Sequence, residues 1–153
     1  MPSFLKRLSV FILPLAAGVA ALAATTQIAP DKPVVNFRLP NFTPEGFRSW
    51  LVRGSEAYYL PKQNQIDVKE LTLSVFSGKS DGKLVTMVLS PSAKVLPTEA
   101  IVTGESTIRV INDEYEATGI GWRYTHKDKK TSIISINKKV RVSFTAEFQD
   151  ILK

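Results

Sequence analysis

From Val34 onward apolar and polar residues alternate with a period of two, the signature of strands with one covered face. Val35, Phe37 and Leu39 share one parity until Pro40. Phe47–Arg53 ends at Gly54, and Glu56–Leu60 ends at Pro61. Beyond the polar loop Lys62 to Gln65, Ile66 and Val68 are even, whereas Leu71, Leu73 and Val75 are odd. One extra residue near Lys69–Glu70 accounts for the jump as a β-bulge, or the strand breaks in two there. Val85, Met87 and Leu89 share a face ahead of Pro91, and Ile101 precedes Gly104. Ile108 and Val110 lead to Asn112–Asp113, and Ile120, Trp122 and Tyr124 lead to the charged turn 127–130. Ile134 and Ile136 precede Asn137, and Val140, Val142 and Phe144 close the series.

Turn signals recur about every eight to twelve residues, the spacing of an all-β domain of short antiparallel strands. No helical pattern is long enough to cover a sheet face. The strands therefore have to cover one another, as a sandwich, jelly roll or barrel. Unless the sheet closes, its first and last strands leave backbone groups free for strand addition.

The first residues follow another rule. Residues 1–24 carry Lys6 and Arg7 ahead of an uncharged apolar run, Leu8 to Ala24, and Ala21-Leu22-Ala23 has the small-x-small form read by signal peptidase. Cut before Ala24, the segment is a signal peptide. Uncut, it is a membrane anchor near the short limit for a bilayer span. Either way the basic end stays in the cytoplasm and the remainder is exported. Residues 25–33, with Pro30 and Pro33, read as an extended linker, 34–145 as the β domain and 146–153 as a tail.

Composition removes several functions. The chain of 153 residues has no cysteine and one histidine, His126, so disulfides, thiolate chemistry and Cys-ligated zinc are excluded. Net charge is +6; without Lys6 and Arg7, 18 basic residues face 14 acidic ones, a balance of +4. No concentrated basic stripe of the kind that binds nucleic acid stands out, and no carboxylate pair, phosphate loop or nucleophile elbow is present. The sequence calls for no cofactor and no enzymatic activity. Lys127, Lys129, Lys130, Lys138, Lys139 and Arg141 gather near the last turns, as solvated edge lysines or as contacts for an anionic headgroup. His126 reads as an exposed turn residue.

Two stretches carry a family likeness. Asn36-Phe37-Arg38-Leu39, Glu45-Gly46-Phe47-Arg48-Ser49-Trp50-Leu51-Val52 and Gly54-Ser55-Glu56-Ala57-Tyr58-Tyr59 form one. Gly119-Ile120-Gly121-Trp122-Arg123-Tyr124 with Val140-Arg141-Val142-Ser143-Phe144 forms the other, with Thr125 where an Asp is common. Over residues 36–144 the chain resembles the periplasmic lipopolysaccharide-export proteins of the LptC-like and OstA-like (LptA) superfamily. The resemblance implies an antiparallel open β-jellyroll, a taco-shaped sheet with an apolar groove, preceded by an N-terminal hydrophobic helix. It also implies a periplasmic protein, held at the inner membrane if residues 8–24 stay uncut. Its partners are then lipopolysaccharide or a similar glycolipid, the inner-membrane transporter, and other bridge β-domains docked by strand addition. Groove candidates are Val75, Val85, Met87, Leu89, Ile108, Val110, Trp122, Tyr124, Ile134, Ile136, Val142 and Phe144. Inward residues of small β-domains usually fill space, so each also reads as core. The rival function is a structural or adhesive envelope domain that binds only protein.

Overall fold

The structure, a computed structural model, describes residues 32–128 and 131–145. The expected leader or anchor at 1–24, most of the linker and the tail at 146–153 lie outside the described residues. Among the described residues no helix is long and apolar enough to cross a membrane.

Seven strands form a single antiparallel sheet in chain order: β1 (Val34–Phe42), β2 (Arg48–Leu60), β3 (Gln65–Phe76), β4 (Leu84–Leu96), β5 (Ile101–Asn112), β6 (Tyr115–Asp128) and β7 (Thr131–Phe144). Each pairs with its sequence neighbours alone, so β1 and β7 are free edges and the sheet is open. This is the all-β architecture expected from the alternation, in the open, jellyroll-type form that the resemblance implies. Single 3₁₀ turns, Pro61–Gln63 and Pro97–Glu99, join β2 to β3 and β4 to β5.

The strands are longer than the turn signals imply, and the difference has one cause. Gly54, Pro91, Gly104 and Asn137, read as strand ends, all lie inside strands. A line of irregularities crosses the whole sheet at their level. Asn36, Glu70, Gly121 and Lys139 have positive φ, on β1, β3, β6 and β7. The pairing skips between Leu89 and Lys94 on β4 and between Gly104 and Thr107 on β5. A bulge bends a strand without ending it, and it tolerates a proline because the ladder needs no N–H there. The expected bulge near Lys69–Glu70 is one member of this line. It is a crease that divides every strand into two arms.

The crease folds the sheet over its own apolar face. Ser49 on β2 and His126 on β6, four strands apart in the sheet order, meet with Oγ 3.2 Å from Nε2. The parity jumps at the crease keep apolar residues inside on both arms: Val52 then Ala57 on β2, Val68 then Leu71 on β3, Ala117 then Trp122 on β6. One core results, with Trp122, Tyr124, Leu71, Leu73, Val88 and Val110 at most 2 % exposed. Trp122 is pinned at the crease: its Nε1 donates to Ser90 Oγ at 3.2 Å, and its carbonyl accepts from Thr103 Oγ1 at 2.8 Å. Gly104 makes that seat possible, because a Cβ there would lie 2.5 Å from Trp122 Nε1.

Candidate functional site

The inner face changes character from its middle to its β7 edge. In the middle, a strand on either side and the opposite arm close over each residue. Val75, Ile108, Val110, Trp122 and Tyr124, five of the groove candidates, are buried here. They pack with Trp50, Val52, Leu71, Leu73 and Val88, which the candidate set did not contain. This part of the interior is filled.

At β7 the same face opens. Ile134 and Ile136 are half-buried against the core. Val140, Val142 and Phe144 are 53 %, 44 % and 74 % exposed, although the β6–β7 register puts Val142 opposite inward Ala117. Between them runs a cleft of about 210 Å³, lined by Val110, Tyr115 and Ala117 on one side and Ile134, Ile136, Val140 and Val142 on the other. Every lining residue is apolar or aromatic. Phe144 meets Tyr115 edge-on, with ring centroids 6.3 Å apart. These side chains stay exposed because β7 has a neighbour on one side only.

Two candidates point the other way. Met87 pairs with Ser74 and Ile111, and Leu89 with Thr72 and Arg109, so both sit on the outer face. The inward residue of that stretch is Val88, fully buried between Leu73 and Val110. Both parities of residues 85–89 are largely apolar, so alternation did not choose the face. Val85 lies where the β3–β4 register shifts and lines a second cleft at the mouth of the fold, with Phe47, Phe76 and His126.

His126 is not a turn residue. It sits half-buried on β6, with Nδ1 3.0 Å from Ser132 Oγ and Nε2 facing Ser49. Tyr124 Oη lies 3.2 Å from the same Ser132 hydroxyl. Burial pushes the Tyr124 phenol up from its usual range, and the Ser132 hydrogen bond opposes this in part. Among the described residues this Ser–His contact has no carboxylate bonded to the histidine, which is tied to a second serine, whereas the hydrolase arrangement needs an acid there to orient the base. Among the described residues no group of three metal-ligating side chains occurs. Trp50 carries one unsatisfied group, a buried indole N–H with no acceptor among the described residues. Sequence reading missed Trp50 as an interior residue, although the alternation with Val52 marks its face.

The chemistry on offer is therefore that of an apolar, partly open interior with free strand edges. Comparison with curated proteins gives no match. A family model described as lipopolysaccharide assembly, LptC-related, matches residues 21–144, which takes in all seven strands. With that match over most of its length, the chain belongs to the LptC-related lipopolysaccharide-assembly family, and membership implies involvement in lipopolysaccharide export.

Proposed function

We propose that the domain is a non-enzymatic, periplasmic component of lipopolysaccharide export that shelters acyl chains in the β7-side cleft of its inner face. The observation that carries this reading is the exposure of Val140, Val142 and Phe144 on the face that is otherwise core. Each methylene moved from water onto such a surface gains about 0.8 kcal/mol. A few carbons are enough to hold a chain without any catalytic residue, and weak enough to release it. On the same reading the free edges β1 and β7 dock neighbouring β-domains and the inner-membrane transporter by strand addition, and residues 8–24 tether the domain if they stay uncut.

The filled middle supports the rival reading, an envelope domain that binds only protein, so the test has to address the open edge. Full-length protein is equilibrated with lipopolysaccharide and the bound glycolipid is measured. Val142→Asp places a carboxylate in the cleft and is expected to lower retention roughly tenfold or more. Met87→Asp, on the outer face, leaves it unchanged. Equal retention by both variants and the parent removes the cleft from lipid handling and leaves the protein-only reading.

A further inference from the structure

On the outer face of the sheet several opposite charges meet across neighbouring strands. Glu56 on β2 faces Lys69 on β3 and bonds it at 2.8 Å. Asp67 on β3 faces Lys94 on β4. Arg109 on β5 makes a two-pronged pair with Glu116 on β6, at 2.6 and 3.0 Å. At the β1 edge, however, Arg38 lies directly opposite Arg53. Both are exposed, and neither makes an ion pair among the described residues. Like charges directly opposite on an antiparallel ladder repel. A second strand neighbour does nothing to relieve them, since Arg53 faces Thr72 on β3.

The surroundings point to what would. Val35, 64 % exposed, shares the outer face of β1 with this pair, opposite Glu56, and Pro40 follows opposite Leu51. Two guanidinium forks with apolar residues on either side form a surface that is both basic and greasy. Such a surface suits the headgroup layer of an anionic bilayer, where forks take phosphate oxygens and apolar side chains reach the acyl boundary. The placement along the chain fits as well. The apolar run ends at Ala24 and β1 starts at Val34. The intervening residues span at most about 30 Å when fully extended.

We propose that Arg38 and Arg53 form a phosphate-binding contact that lays the outer face of β1–β2 on an anionic phospholipid bilayer. The contact is separate from the cleft at β7 and stands whether or not that cleft carries a lipid. It orients the domain with the β1 edge toward the membrane and the opposite edge, β7, away from it.

The absence of cysteine allows a single reporter to be placed. Val35→Cys, labelled with nitrobenzoxadiazole, reports on the proposed contact, and Ser135→Cys on β7 serves as the distant control. Full-length protein is reconstituted in vesicles of phosphatidylcholine alone and of phosphatidylcholine mixed with phosphatidylglycerol. The Val35 label is expected to brighten and shift to the blue only where phosphatidylglycerol is present, and the Ser135 label to stay unchanged. Arg38→Gln with Arg53→Gln, exposed substitutions that the fold tolerates, lower the docked-to-undocked ratio about thirtyfold. Salt at about 1 M, where screening acts within about 3 Å, does the same. Three results overturn the proposal: equal signals in both vesicle types, equal signals with and without the arginines, or a response to inorganic phosphate or acidic polypeptide in place of vesicles.

Discussion

The middle of the inner face and its β7 edge are made of the same residue types in the same alternation, yet one is core and the other is open surface. Val110 on β5 is 2 % exposed, while Val142, two strands away, is 44 % exposed. Nothing in the two side chains accounts for that. What differs is the number of neighbours: β5 lies between β4 and β6, whereas β7 has β6 alone. In this open sheet folded at a crease, burial belongs to the central strands. Uncovered apolar surface collects at the edge, where β7 has a neighbour on one side only.

That contrast can be broken first at the centre. Trp122→Ala removes one of the two tryptophans of the core, together with its hydrogen bond to Ser90 Oγ. It is expected to cost about 3–5 kcal/mol of unfolding free energy in denaturant titrations. A loss below about 1 kcal/mol, the range of an exposed site, means that the middle is not closed.

Alkaline pH probes the same region more gently. Burial raises the Tyr124 phenol above its ordinary value, so the folded state keeps its proton when the unfolded chain has lost it. Stability is therefore unaffected below about pH 10 and falls as pH rises beyond it. Tyr124→Phe should remove part of that fall, and an unchanged alkaline limb in the variant places Tyr124 outside the closed interior.

The smallest effect is expected at the edge. Phe144→Ala gives up one exposed ring and its contact with Tyr115, and stability should move by no more than about 0.5 kcal/mol. A loss comparable with that of Trp122→Ala would make β7 part of the closed core.

The strand series and the interior position of Trp122, Tyr124, Ile108 and Val110 were legible because alternation reports a face directly. The crease was not. Gly54, Pro91 and Gly104 signal a departure from straight strand geometry, and a bulge and a turn use the same residues for that purpose. Only the pairing on both sides of Gly104 tells that β5 continues. Met87 and Leu89 were misplaced for a related reason, since Thr86-Met87-Val88-Leu89 offers apolar side chains to both faces. His126 was hidden by the lysines that follow it, and its contact with Ser49 depends on a fold-over that no local pattern encodes. The open edge was half legible. Short connections imply a meander whose last strand is an edge, but whether that edge meets the first strand is a matter of curvature.

The central claim is that β7 offers one face to lipid. A photoreactive amino acid placed in turn at residues 140 to 144 of the full-length protein, followed by irradiation with lipopolysaccharide, reads it residue by residue. Val140, Val142 and Phe144 face inward, and Arg141 and Ser143, opposite Thr118 and Glu116, face outward. Glycolipid adducts are expected to alternate with a period of two, present at 140, 142 and 144 and absent at 141 and 143. Adducts of equal yield at all five positions, or confined to 141 and 143, contradict it.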